Sequence, residues 1–440
     1  MVITMIRPEM KQCTKALIDW IAKAPTAYQA IALCEEELQS KGYEKLGEEK
    51  AWCLRPGKRY YVTKNGTSLI AFRIPSAGAK SFMISASHSD SPTFKLKENA
   101  MNIAFSTYAR LNTEMYGGLI AASWFDRPLS VAGRVVIKEE ERIVAKPVCL
   151  DRDLVLIPNV AIHQNRTINE GYRYDLAKDT FPLWSMAGDA PDVLEYAAQA
   201  LGVARENILS SDLYLYNRTP GVIFGADEAF FAAPRIDDLM CAYTCFHSFL
   251  EAGETSTLPV CAVFDNEETG SATKQGAASF FLRDVLQRIC DAFGLSLSQM
   301  LASSMMVSAD NGHARHVNHP ELSDADNAPA LNGGVVIKNN AAQHYTTDGM
   351  SFSLFAQICK NAQVPTQLFA NRSDLRGGST LGSISNTMVP LVTVDIGTAQ
   401  FAMHSSYETA GCADTWYLLR AMRAFYESTL TPCDGGFLLH

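Results

Sequence analysis

Apolar and polar positions along this chain follow two rhythms. Ala16, Leu17, Trp20 and Ile21 share one helical face, and Ile31, Cys34 and Leu38 keep the same spacing up to Gly42, a helix stop. RYYVTK and TSLIAFRI flank Asn65-Gly66, a pair suited to the positive-φ positions of a tight hairpin turn. SFMISASHSDSP predicts a buried strand ending in polar residues and Pro92. From about Lys95 to Ala233 polar and turn residues become frequent, and SVAGRVVIKEEERIVAKPVCL predicts two strands about the turn Glu139-Glu140-Glu141. Beyond APRIDDL the rhythms alternate again. DDLMCAYTCFHSFLEAG predicts a helix ending near Gly253, LPVCAVF a strand, KQGAASFFLRDVLQRICDAF a helix, and LASSMMVSAD a strand entering a loop. No repeat of fixed period runs through the chain. Such alternation predicts an α/β fold: a mostly parallel sheet with helices on both faces.

Composition bounds this picture. At 440 residues and 47% hydrophobic, the chain exceeds one hydrophobic core and predicts two domains, or one large domain with an insertion. A net charge of −9 argues against a general nucleic-acid or anionic-membrane binder. The eleven cysteines form no CxxC pair, and Cys241 and Cys245 fall within a helical pattern; cysteines so scattered behave as small buried hydrophobes in a reducing compartment. MVITMIRPEMKQC lacks a long apolar leader core, and no apolar run approaches the roughly 18 residues of a membrane span, so a soluble cytoplasmic protein is expected.

Polar residues gather where apolar strands end, the place where open α/β sheets build sites. His88 and Asp90, at i and i+2 of an extended segment, lie on one face, and a ligating histidine commonly has its other nitrogen held by a carboxylate; HxD alone equally suits a surface pair. Asp237-Asp238 opens a helix, where aspartate also suits the dipole. Asp310 leads Asn311-Gly312, which also makes a turn. His313, His316 and His319 also fit a solvent-facing loop, and His404, after the apolar run LVTVDIGTAQFAM, also fits a satisfied core histidine. Glu267 and Glu268 are harder to place: adjacent carboxylates at an apolar strand end repel unless something positive sits near them or both face water at a helix cap. A divalent cation resolves the repulsion, one glutamate ligating and the other moving a proton. Together the clusters predict a two-metal hydrolytic site, with histidine and carboxylate donors suiting zinc or manganese.

SASHSDSP, YGGLIAASWFDRPLSVAGRV, IPNVAIHQNR, PRIDDL, FDNEETGSATKQGA, SADNGHARH, VIKNNAAQHY and FAMHSSYE occur in an order that resembles the aspartyl aminopeptidase family of co-catalytic zinc metallopeptidases. The resemblance implies two divalent metal ions per subunit, zinc with manganese or cobalt as alternatives. His88 would ligate one metal, Asp90 would orient it, and Glu268 would be a ligand beside it. Asp237 would bridge the two metals, Asp310 and His404 would complete the second, and Glu267 would be the general base acting on a metal-bridged water. His313 would sit near the substrate, Lys338 and Tyr345 would bind it, and His163 would reach into a neighbouring subunit's active site. The implied activity is removal of an N-terminal residue, preferably Asp or Glu, from short peptides, with no nucleic-acid or membrane partner.

The implied fold is a three-layer α/β/α metallopeptidase domain with a mostly parallel sheet, formed by residues 1–93 and 234–440. The long separation of His88 from Asp237 leaves 94–233 as an inserted β-rich dimerisation domain, used by the family to build a tetrahedral dodecamer from dimers. The chain departs from the family's pattern at Asp238, where asparagine is common, and at Thr269, where valine is usual. A different or broader N-terminal specificity, or a metal-dependent amidase or phosphoesterase, would use similar residues, although no phosphate-cradling glycine motif is present. A non-catalytic shell or cargo protein would be expected to have lost one of the metal or base positions, and all are present.

Overall fold

The computed structural model describes residues 5–375 and 377–440, so the first four residues of the segment considered above as a leader lie outside the described residues. A nine-stranded sheet forms the centre, in the order Glu44–Lys45, Arg59–Lys64, Ser68–Arg73, Leu258–Phe264, Phe82–His88, Met305–Ala309, Val392–Gly397, Val335–Asn339 and Thr366–Ala370. Its middle strands, from Leu258–Phe264 to Val392–Gly397, run parallel. The strands flanking Asn65-Gly66 pair antiparallel, as that turn predicts.

The middle strands are buried almost throughout because both sheet faces are covered, and besides their apolar residues they carry small buried polar ones such as Ser85, Ser87 and Ser308. On one face Met83, Cys261 and Val307 pack with Ile31, Phe246, Phe355 and Phe425 from the helices Ala27–Ser40, Ile236–Glu251, Gly349–Asn361 and Cys412–Glu427. On the other, Ile84, Val260 and Met306 meet Phe281, Leu286 and Leu301 from Phe281–Ala292 and Leu297–Ala302. The result is three layers, α/β/α. Burying a side chain such as Phe246 or Leu286 contributes about 1.5–3 kcal/mol, which makes these faces the main source of stability.

A second, six-stranded antiparallel sheet contains Arg142–Val155, Leu129–Glu139, Ile208–Asn217, Thr93–Ala104, Tyr108–Tyr116 and Leu183–Met186, in that spatial order. It has a core of its own about Phe94, Leu111, Trp124 and Leu213. This sheet ends at Asn217. Val222–Phe224 and Phe230–Ala233, assigned by sequence to the insertion, instead join Glu408–Gly411, Ala399–Phe401 and Gly312–His313 in a five-stranded sheet.

Two further expectations change. The helix of KQGAASFFLRDVLQRICDAF begins only at Phe281, because Gln275 turns back to donate to Asn266 Oδ1 at 2.7 Å. The apolar run LVTVDIGTAQF breaks at Thr398, whose hydroxyl donates to Asn311 Oδ1 at 2.7 Å, and the chain passes from the central sheet into the five-stranded one. That crossing carries His404 over the ends of the central strands. No helix among the described residues is long and apolar enough to cross a membrane.

Candidate metal centre

The neighbouring strands Leu258–Phe264, Phe82–His88 and Met305–Ala309 end side by side, and the polar residues following each converge. His88 is the last residue of its strand, Asp265 to Glu268 follow Phe264, and Asp310 follows Ala309. The start of the helix Ile236–Glu251 adds Asp237 and Asp238. His404 arrives from the loop between Ala399–Phe401 and Glu408–Gly411, with a positive φ of 67°.

Asp237 stands at the middle. Its Oδ1 lies 3.7 Å from His88 Nε2, and its Oδ2 lies 3.3 Å from His404 Nε2. Asp310 Oδ1 is 3.9 Å from His88 Nε2, and Glu268 Oε2 is 3.3 Å from His404 Nε2. Three donor sets are therefore compact enough to hold a cation: His88, Asp237, Asp238 and Asp310; His88, Glu267 and Glu268; and Asp237, Glu268 and His404. The shortest contacts exchange the partners expected from sequence, putting Asp310 beside His88 and Glu268 beside His404. Strand order alone does not decide this, since Phe82–His88 has Met305–Ala309 on one side and Leu258–Phe264 on the other, and His88, Glu267 and Glu268 also form one of the three sets.

The donor set fits a divalent cation on the evidence of its own polar atoms. Oδ1 of Asp237, Oδ1 of Asp238 and Oε1 of Glu268 are buried with no hydrogen-bond partner among the described residues. Orphaned buried carboxylate oxygens are costly unless a cation meets them. Burial, with Asp237, Asp90 and Glu267 nearby, pushes the Glu268 carboxyl well above the usual range. Burial first, then Asp310, Asp90 and Asp237, raise Glu267 to about 8. Burial alone would lower His88, but Asp238, Asp310 and Asp90 hold it well above its ordinary value. Imidazole nitrogens and carboxylate oxygens are the donors zinc takes.

A layer of hydrogen bonds aims these donors. His88 Nδ1 is 3.3 Å from Asp90 Oδ1, which leaves Nε2 facing the cluster. Asp90 also accepts the backbone N–H groups of Glu267 and Glu268, each at 3.2 Å. Asp238, fully buried, accepts the His88 backbone N–H at 3.1 Å. Glu408, also buried, ties two donors together: its carboxylate accepts the backbone N–H of Asp237 at 3.0 Å and that of His404 at 2.7 Å. Sequence reasoning missed Glu408, which reads as an ordinary strand residue; its place in the FAMHSSYE segment was the available signal.

The remaining expected residues divide. Lys338 is buried, and its ammonium donates to Asp310 Oδ2 at 3.3 Å and to the Asn311 carbonyl at 2.8 Å. Tyr345, also buried, places its ring 5.4 Å from that ammonium. His313 is exposed, with its ring edge-on to Phe369. His163 lies on an exposed turn of the loop after Arg142–Val155 and shares none of the cluster's hydrogen bonds or ion pairs among the described residues.

A family model described as "Aminopeptidase I zinc metalloprotease (M18)" matches residues 20–426. A "Probable M18 family aminopeptidase 2" of Clostridium acetobutylicum is 39% identical, covering 94% of this chain and 98% of that protein. One of the same name from Pseudomonas aeruginosa is 37% identical over 97% of this chain and 100% of its own length. Among solved structures, the "Cryo-EM structure of the Ape4 and Nbr1 complex" matches with a TM-score of 0.92 and 32% identity, covering 97% of this chain and 88% of that one. The "Structure of S. cerevesiae mApe1 dodecamer" matches with a TM-score of 0.85 and 25% identity, covering 95% and 97%.

Proposed function

The chain belongs to the M18 family of zinc metallo-aminopeptidases, and from that premise we propose that it removes the N-terminal residue, preferably Asp or Glu, from short peptides. The observation that carries the reading is the half-buried Glu267, held beside a cluster of buried His88, half-buried His404 and several carboxylates.

In this reading His88 and Asp310 on one side, and Glu268 and His404 on the other, would hold two divalent ions, most simply zinc, with Asp237 a donor common to both sets. When bound they supply Lewis-acid polarisation of the scissile carbonyl and make a nearby water more acidic. Glu267 takes the proton from the attacking water and returns it to the leaving amine, a role suited to a half-buried carboxylate beside the donor cluster. Asp90 holds the His88 ring and the backbone of both glutamates, so it positions rather than reacts. Lys338 has three ammonium N–H groups, two of which meet Asp310 and Asn311; the third is available to a substrate carboxylate beneath Tyr345. His313, the exposed residue of the strand Gly312–His313, is assigned to the substrate's path.

The pairing of Lys338 with Asp310 also favours a second reading, a broader N-terminal specificity, because the cation is already partly neutralised. A panel of aminoacyl substrates, free and N-blocked, assayed with and without zinc, manganese or cobalt, separates these. The acidic preference predicts kcat/KM for Asp and Glu at least about tenfold above Ala or Leu. Equal rates would replace it with the broader reading, and cleavage of blocked substrates alone would replace the aminopeptidase reading with an amidase.

We assign the protein to a homo-oligomer, with a dodecamer built from dimers as its expected form and His163 serving a neighbouring subunit. Phe105, at the tip of a hairpin in the six-stranded sheet, is 91% exposed, and Met186 and Ile143 are also exposed, apolar surface that a partner copy would cover. All eleven cysteines are free, which suits the reducing cytoplasm. Sedimentation as a monomer at micromolar concentration would remove the assembly.

A further inference from the structure

The six-stranded sheet touches the metal centre through three consecutive residues. Tyr116, at the end of the strand Tyr108–Tyr116, donates its hydroxyl hydrogen to Asp90 Oδ2 at 2.6 Å and accepts from Asn266 Nδ2 at 2.8 Å. The Asp90 carboxylate in turn stands 3.3 Å from His88 Nδ1, which also hydrogen-bonds the Asp90 backbone carbonyl at 3.1 Å, and accepts the backbone N–H groups of Glu267 and Glu268. Two residues on, the Gly118 carbonyl accepts from His404 Nδ1 at 2.6 Å. Gly117 between them has a φ of +71°, and a Cβ there would lie 3.0 Å from Glu268 Cβ. The Ile120 N–H then donates to the His404 carbonyl at 3.0 Å, and the Ser406 N–H to Ser123 Oγ at 2.8 Å.

Each histidine therefore has Nδ1 engaged from the same side and Nε2 aimed at Asp237. A donated Nδ1–H selects the tautomer whose Nε2 lone pair is free for a metal. His404 is reached directly by the Gly118 carbonyl, and His88 indirectly, through the Asp90 that Tyr116 holds.

We propose that Tyr116–Gly118 is a positioning strap, which orients both metal-ligating histidines at once and makes metal affinity depend on the docking of the six-stranded sheet against the central one. The proposal rests on the metal-centre reading above. None of the three residues touches the reacting atoms; Tyr116 acts through Asp90, and Gly118 through His404. The strap also gives the second sheet a task at the catalytic centre.

The test uses the full-length protein and its Tyr116→Phe variant, which loses one hydroxyl and keeps the ring. Zinc affinity is read by competition with a chromogenic chelator, donor geometry by the visible absorption of the cobalt-substituted protein, and turnover as kcat and KM separately. The expected result for Tyr116→Phe is zinc affinity weakened about tenfold at one site, a shifted cobalt spectrum, and a lower kcat with KM little changed. Gly117→Ala, which presses on Glu268, is expected to weaken both sites. Thermal unfolding of the zinc-free proteins checks folding, and if Gly117→Ala does not fold, Tyr116→Phe decides alone. A Tyr116→Phe protein with parental zinc affinity and an unchanged cobalt spectrum overturns the strap while leaving the metal centre standing. A parent protein that binds no zinc overturns both.

Discussion

Two acidic sites in this molecule are handled in opposite ways. In the six-stranded sheet, Asp212 meets Lys95 Nζ at 2.8 Å and Arg134 Nε at 2.9 Å. Arg134 is its direct cross-strand partner, and Lys95 comes from the strand on the other side. Burial would raise this carboxyl, but the two cations hold it below the usual range. At the ends of the central strands, six carboxylates (Asp90, Asp237, Asp238, Glu267, Glu268 and Asp310) gather about His88 and His404, with Lys338 the cation bonded to one of them. There Glu267, Glu268 and Asp238 are all pushed up, burial being the largest cause. One site carries its own counter-charge. The other leaves it to a cation, and that deferral separates a structural ion pair from a centre built to bind and work.

The comparison can be broken most directly by removing metal. Chelation is expected to abolish peptidase activity, added zinc to restore it, and the chelated protein to unfold at a lower temperature, because a bound ion stabilises only the folded state. A chelated protein with full activity would erase the contrast. Next in size, Glu267→Gln keeps the volume and removes the base. Turnover should fall roughly 10²–10⁴-fold with zinc stoichiometry unchanged, read by steady-state assay and metal analysis. Loss of zinc in that variant would move Glu267 into the ligand set.

The smallest effect sharpens the other side. Asp212→Asn leaves Lys95 and Arg134 facing each other and should cost about 1–2 kcal/mol in denaturant unfolding, with or without chelator. Because the folded carboxyl is depressed, this contribution is present above the ordinary carboxylate range near pH 4 and is lost as pH falls below it. The parent and variant stabilities should therefore converge in acid. A difference that persisted there, or appeared only with zinc, would show that Asp212 is not an independent ion pair.

Much of the centre was legible along the chain. His88 and Asp310 stand out because one ends and the other directly follows a mainly apolar run, where a charged or ligating residue is conspicuous. Asp237 was legible as an acidic helix opening, though a capping role explained it as well. The Glu267-Glu268 pair was the clearest signal, since like charges at a strand end require an explanation. His404 was ambiguous because an apolar run also suits a core histidine, and only the break at Thr398 lifts it out of the central sheet.

Hydrophobic periodicity and charge are local properties, so the chain by itself determined the alternating elements, the hairpin at Asn65-Gly66 and the residue types able to hold a cation. Tertiary structure decided which of them meet. The fold puts Asp310 Oδ1 3.9 Å from His88 Nε2 and Glu268 Oε2 3.3 Å from His404 Nε2. Glu408 lies 171 residues from the Asp237 amide it holds, and Gly118 lies 286 residues from His404. Contacts across such separations leave no periodic trace, because they arise from how sheets dock rather than from how neighbouring residues alternate. The strap at Tyr116–Gly118 is the plainest case: in sequence it is the end of one strand, and in space it lies against both halves of the centre.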